Sequence, residues 1–192
     1  MSITDRRNRE RALRHDLIIA TAHDLAEAEG WEAVTTRRLA ALVEYSQPVL
    51  YSHFDGKDAV VRAVAIKGFA DLAARLQKAR AGVDEPERAL RAVCSAYLTF
   101  AAERPALYQA MFVLPTDVKF ASENTPSALK AAFGEMVGAL QPFDAHPDLR
   151  AEVTWAALHG LAVLRQGGRI PPEGKEAHID LLVSQIVADR SR

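Results

Sequence analysis

The stretch "RRLAALVEYSQPVLYSHFDGKDAV", Arg37 to Val60, decides the fold. Leu39 and Leu42 before the tripeptide "EYS", and Val49, Leu50 and Phe54 after it, recur at helical spacing, so two short helices flank a tight turn. Thr35 or Thr36 serves as the N-cap of the first, which runs through Val43 with Leu39 and Leu42 facing inward. The second starts near Ser46 or Gln47, with Pro48 in its first turn, where a missing N–H costs nothing. Its outward residues are Gln47, Tyr51, Ser52 and His53, where a helix built only for stability carries Glu, Lys or Ala. A hydrogen-bonding and aromatic face of this kind is suited to being pressed against another surface.

Working outward, Leu13, Leu17, Ile18, Thr21, Leu25 and Ala28 give a helical stripe from about Arg9 to Glu29, closed by Gly30. After "FDG", Asp55 or Gly56 caps a long helix from Lys57 to about Ala81, with Val60, Val61, Val64, Phe69, Leu72 and Leu76 on its buried side. Two short helices braced by a longer one on each side make a helix-turn-helix, whose second helix enters the DNA major groove.

Beyond "AGVDEP", Pro86 opens a fifth helix to about Ala102, and "RP" at Arg104 and Pro105 opens a sixth, "ALYQAMFVL". A loop follows from Pro115 to Pro126. Further helices cover about Ser127 to Leu140, Asp148 to Gln166 and Lys175 to Arg190. No stretch alternates with period two long enough to make a strand. The expected architecture is all-α with about nine helices: a helix-turn-helix domain over residues 1–58 and a helical ligand-binding and dimerisation domain over 59–192.

The bulk properties agree with an ordinary globular chain. Of 192 residues, 49% are hydrophobic and 26% charged, and the net charge is −1, so any affinity for nucleic acid rests on local charge. Arg6, Arg7, Arg9, Arg11 and Arg14, against Asp5 and Glu10, supply a local basic excess at the N-terminus. One cysteine, Cys94, excludes an intrachain disulfide and reads as a small buried hydrophobe. With no apolar leader and no run near the roughly 18 apolar residues of a membrane span, a cytoplasmic protein without a membrane partner is expected. No Gly-rich phosphate loop, metal-ligand spacing or nucleophile with a nearby base is present, and His146, His159 and His178 are scattered. An enzyme, a metal site and a cofactor are therefore not expected.

The stretch "TTRRLAALVEYSQPVLYSHFDGKDAV" resembles the DNA-binding region of TetR-type transcriptional regulators, through Leu39, Ala40, Leu50, Tyr51, His53, Phe54 and Lys57, over about Ile18 to Val64. It departs from that pattern in the turn, where the family commonly has Gly and an apolar residue and this chain has Glu44 and Tyr45. A left-handed conformation at Glu44 would cost on the order of 1 kcal/mol. Resemblance and geometry together assign a DNA-binding set. Thr36 and Arg37 bond phosphate or reach a base edge, Gln47 pairs an adenine edge beside Ser46, and Pro48 and Val49 pack on a thymine methyl. Tyr51, His53 and Lys57 hold phosphates near Ser52, Lys57 with help from the positive end of its helix.

Specific recognition by one small helix-turn-helix usually needs a two-fold dimer. Ile179, Leu182, Val183 and Ile186 form an apolar stripe on the last helix, and Val153, Ala157, Gly160 and Leu161 join them from the preceding one, the expected four-helix interface. Trp155, His159 and Gly160 also resemble a TetR subgroup named for its W-HG pattern. Candidates to line an effector pocket are Tyr97, Phe100, Tyr108, Met111, Phe112, Phe133, Met136, Trp155 and His159, with the Pro115–Pro126 loop as a gate. What the resemblance implies is a homodimeric repressor of double-stranded operator DNA released by a small, largely apolar effector. The alternatives are a constitutive DNA-binding regulator and a helical protein-interaction module without effector.

Overall fold

The computed structural model describes residues 2–116, 120 and 122–189. Among these, nine α-helices are found, with two short 3-10 turns at Trp31–Ala33 and Pro172–Gly174 and no strand. The helices are α1 (Ile3–Glu29), α2 (Thr36–Leu42), α3 (Gln47–Tyr51), α4 (Gly56–Arg80), α5 (Pro86–Glu103), α6 (Pro105–Phe112), α7 (Ser127–Leu140), α8 (Pro147–Gln166) and α9 (Lys175–Asp189). None of them is long and apolar enough to cross a membrane.

The chain divides into two compact units inside α4, between Gly68 and Phe69, and α6 is returned to the first unit. The expected line after residue 58 falls instead in the first turn of α4, which continues unbroken past it. In the first unit, α1 begins at Ile3, not near Arg9, because Ser2 and Asp5 form a capping box: the Ser2 hydroxyl accepts from Thr4 N, and Asp5 accepts from Ser2 N at 3.0 Å. The arginine-rich start is thus the first turns of a helix. Ile18, Ile19, Ala22, Leu25 and Ala26 turn inward, whereas Leu13, Leu17 and, on α2, Leu42 are exposed, contrary to the sequence stripe.

Polar links fix α6 in this unit. The Glu27 carboxylate accepts from Ala106 N at 3.2 Å and Leu107 N at 3.0 Å, two donors that α6 itself leaves unpaired. The Trp31 indole donates to the Ala106 carbonyl at 2.8 Å. Packing is equally close at Gly68, where a β-carbon would lie 2.7 Å from Met111 Sδ and 2.8 Å from Leu107 Cδ1.

In the second unit, α5 is central, packing on α7, α8 and α9. Leu90, Val93, Cys94, Tyr97, Phe100 and Ala101 are all buried on it. Burial pushes the Cys94 thiol up to about 12, which keeps it protonated and inert. Ala151, Thr154, Leu158 and Ala162 are the buried line of α8, small enough for close approach, and Ile179, Val183 and Ile186 are that of α9. Lys175 anchors the start of α9 by donating to Thr99 Oγ1 at 3.1 Å and Ser95 Oγ at 3.3 Å.

Candidate nucleic-acid interface

The support of the site is apolar. Leu39, Val43, Leu50 and Phe54 are buried and hold α2 and α3 on the body of the first unit. Between the two helices the chain reverses through a motif that satisfies the last carbonyls of α2. Tyr45 N donates to Ala40 O at 2.9 Å, and Glu44 N donates to Ala41 O at 3.3 Å. The geometry requires a left-handed residue, and Glu44 adopts it with φ 56°, alone among the described non-glycine residues. The sequence departure at "EY" therefore leaves the turn intact, and Glu44 carries the strain.

On this base, Ser46, Gln47, Pro48, Tyr51 and Ser52 are exposed, with Val49 half-buried beneath them; Tyr51 is 53% exposed. The Tyr51 hydroxyl lies 3.5 Å from Thr36 Oγ1, which brings the start of α2 and the end of α3 to one surface. Arg37 is exposed beside Thr36. The next residue, Arg38, is committed elsewhere. Its guanidinium forks onto the Glu29 carboxylate, one arm donating at 2.8 Å, and this pairing holds Glu29 below and Arg38 above their ordinary pKa ranges.

Three of the expected contact residues have other partners. Ser52 Oγ donates back to the Val49 carbonyl at 2.6 Å. Lys57 Nζ donates to the Trp31 carbonyl at 2.7 Å from a partly buried position, so it locks the start of α4 to the start of the 3-10 turn. His53 turns toward α1. Its ring is 6.3 Å from that of His15, which itself stacks on Phe54 at 4.5 Å, and Arg11 Nη2 donates to Ser52 O at 3.2 Å. Burial lowers the His53 pKa from its usual value, and the neighbouring Arg11, His15 and Arg14 lower it further. An open groove of about 350 Å³ lies here, lined by Asn8, Arg11, Ala12, His15, Asp16 and His53. The sequence reading missed Asn8 and His15; their signal was the spacing of Asn8, Arg11 and His15 at three and four along one helix face.

The remaining candidate residues divide between the units. Tyr108, Met111 and Phe112 belong to α6, in the first unit, where the Tyr108 and Phe112 rings meet at 4.7 Å. Tyr97, Phe100, Phe133, Met136, Trp155 and His159 belong to the second. There Trp155 Nε1 donates to the Tyr97 hydroxyl at 3.0 Å, and Trp155 stacks near Phe120, which meets Phe69 edge-on. Burial lowers the His159 pKa. The Pro115–Pro126 loop includes residues 117–119 and 121, which lie outside those described, as does the expected helix end at Arg190.

The dimer stripe on α9 needs correction. Ile179, Val183 and Ile186 are 0%, 1% and 3% exposed, sealed in this chain's own core against α5 and its neighbours, and Leu182 is half-buried. The outer apolar residues are different ones: Val153, with Leu149, Val163 and Leu164, on α8, and Leu181 on α9. Ala157, Gly160 and Leu161 are half-buried between the two faces of α8.

A supported, outward-facing second helix after a tight turn defines a DNA-binding protein of the helix-turn-helix class. Residues 18–64 match the family model of bacterial regulatory proteins of the tetR family, and residues 90–189 match the tetracyclin repressor-like C-terminal domain. An uncharacterised HTH-type transcriptional regulator of Mycobacterium tuberculosis is 25% identical over 183 residues, covering 94% of this chain and 83% of that one. A protein with unknown function from Rhodococcus sp. RHA1 has the same fold, with a TM-score of 0.75 at 22% identity over 91% of this chain and 93% of its own. So does a TetR variant of Acinetobacter baumannii AYE solved in complex with minocycline, with a TM-score of 0.66 at 18% identity over 91% and 94%. The chain belongs to the tetR family of transcriptional regulators, which bind DNA and are not enzymes.

Proposed function

We propose that the protein is a homodimeric repressor that reads a two-fold symmetric operator through α3 and leaves it when a small, largely apolar effector binds. It would act in the cytoplasm, where its DNA lies. The observation that carries this reading is the face of α3: Gln47, Pro48, Tyr51 and Ser52 stand exposed over a buried Leu50, with Thr36 and Arg37 beside them. Gln47 is the base-reading residue, because a carboxamide offers both a donor and an acceptor to an adenine edge. Arg37, Tyr51 and Lys57 serve the backbone, Lys57 with the N–H groups its Trp31 contact leaves over.

Dimerisation is assigned to the outer faces of α8 and α9, where Leu149, Val153 and Leu181 are 62%, 61% and 59% exposed. An apolar line on an exposed helix face is covered most economically by its own two-fold copy. The effector reading draws on the aromatic interior of the second unit around Tyr97 and Trp155, and on the minocycline held by the Acinetobacter protein of the same fold.

The test is selection of duplexes from a random pool by the full-length protein. Recovery of a motif with two inverted half-sites, about one helical turn apart, supports the reading. Gln47→Ala should then relax base preference at one position of each half-site while leaving total affinity for mixed-sequence DNA nearly unchanged. Recovery of no motif, or of an asymmetric one, would overturn it.

A further inference from the structure

The groove between α1 and the end of α3 is outside everything used so far to read bases. Three of its polar residues, Asn8, Arg11 and His15, stand on α1, outside the set of DNA-contact residues assigned above. We propose that α1 completes a phosphate site around His53: the groove takes one phosphodiester of the bound DNA, held by Asn8, Arg11 and the imidazoles of His15 and His53, and it takes up a proton as it does so. The inference rests on the DNA-binding reading above and adds a site and a pH response to it.

The geometry supplies the parts. Arg11 is tied by one N–H to the Ser52 carbonyl at 3.2 Å, which places its guanidinium at the C-terminal edge of the recognition helix and leaves its other donors for a ligand. His15 is fixed over Phe54, and its ring centre is 6.3 Å from that of His53, a spacing at which one tetrahedral anion can face both rings. His53 Nδ1 is buried without a hydrogen-bond partner, an orphan polar atom that calls for one. Asn8 adds an uncharged donor at the rim.

Charges of both signs face the groove. Asp16 lies 3.9 Å from His15 Nδ1, but its side chain is 79% exposed, so water screens it. Glu10 is shared by Arg6 at 3.8 Å and Arg14 at 3.9 Å. On His53 itself the felt charges are Arg11, His15 and Arg14, all repelling a proton. An arriving phosphate reverses that field. The imidazole, disfavoured as a cation in the free protein, becomes the better proton acceptor in the complex, and binding draws in a proton. Affinity for DNA must therefore rise as pH falls through the range between the bound-state and free-state pKa values of His53, and be flat above it.

The experiment uses full-length protein and a fluorescently labelled duplex recovered by the selection above, with anisotropy titrations across KCl concentration and across about pH 6 to 8. Arg11→Ala should reduce the slope of log affinity against log salt by about 0.9 per subunit, one phosphate contact each. The pair His15→Gln and His53→Gln should flatten the pH dependence. Urea midpoints close to wild type confirm that each variant is folded, and Arg11, on the surface, keeps the test independent of any packing change at His53. A wild-type salt slope in Arg11→Ala, or a wild-type pH dependence in the double imidazole variant, would overturn the proposal. So would inorganic phosphate shifting the histidine resonances while Arg11→Ala keeps its full salt slope, since the groove would then hold a free anion and not the DNA backbone. A protein that recovers no duplex at all fails the DNA-binding reading instead, which separates the two.

Discussion

Replacing Glu44 by glycine tests the turn that presents α3. Glu44 has φ 56° and closes α2 with its own N–H on Ala41 O and that of Tyr45 on Ala40 O. A side chain in this conformation costs about 1–2 kcal/mol through the clash of Cβ with the following carbonyl. Glycine removes the clash but loses about 0.5–1 kcal/mol through its freer unfolded chain. The net expectation is a gain of about 0.5–1 kcal/mol, or about 1–4 °C in melting temperature for a chain of this length. Glu44 is exposed and has no ion pair among the described residues, so the loss of its charge contributes little. Glu44→Gln isolates that term: it removes the charge and keeps the strain, and should melt with the wild type. Glu44→Asn should fall between, since asparagine tolerates the left-handed region better than other side chains. The assay is thermal and urea unfolding followed by circular dichroism at matched concentration. If Glu44→Gln stabilised as much as Glu44→Gly, charge and not backbone geometry would be the cause; if Glu44→Gly lowered the midpoint, the left-handed turn itself would be wrong.

Other perturbations separate packing, assembly and protonation. Gly134→Ala, on an open face of α7, should raise stability by about 0.5–1 kcal/mol, whereas Gly68→Ala, with Met111 Sδ 2.7 Å from the new carbon, should give no gain or a loss of about 1–2 kcal/mol; equal gains at both sites would refute the close α4–α6 approach. Val153→Glu should yield a folded monomer by light scattering, because the residue is exposed in the single chain, while Ile179→Glu should unfold it; a Val153→Glu dimer would move the interface elsewhere. The half-buried His159 has its pKa lowered from 6.5 by the burial it has, so the unfolded chain binds its proton first. Stability is then complete above about pH 6.5 and declines as pH falls below it, until the folded-state pKa is passed. His159→Gln should lessen the drop in urea midpoint between about pH 7.5 and pH 5.5, with the His53 contribution remaining; an unchanged drop would show that His159 is not the group responsible.

How far the fold was legible depended on whether one side chain or one neighbour decided the matter. The boundaries of α7, Ser127–Leu140, and the proline-led starts of α5 and α6 were readable because caps and prolines act on their own backbone. The left-handed Glu44 was foreshadowed by the resemblance, which puts a glycine at that place in the turn. The side that each helix buries was not local in this sense. α8 carries two apolar lines, and the one it buries is small, Ala151, Thr154 and Ala162 around Leu158, while the larger Leu149, Val153 and Leu164 face out. The closeness of α5 and α7 makes small residues the better fit on the buried line, and no residue of α8 encodes that closeness by itself. The same holds on α9, where Ile179, Val183 and Ile186 looked like an interface and are the chain's own core.

In the candidate site, the type of residue was legible and its partner was not. Gln47 and Tyr51 stand exposed on α3, but Ser52, His53 and Lys57 are each drawn to a protein partner: the Val49 carbonyl, the α1 cluster and the Trp31 carbonyl. These partners lie from three to tens of residues away, and no periodicity encodes them. The consequence is functional. On the proposed reading, a side chain already held by its own fold meets DNA with less conformational entropy left to lose, so Lys57 and the Arg11–Ser52 pair would form a preset edge, while the exposed Gln47 would stay free to adapt to base sequence. Rigid contacts at the rim and adaptable ones at the centre place the cost of ordering on the residues that discriminate between sequences, which is where a regulator gains specificity from it.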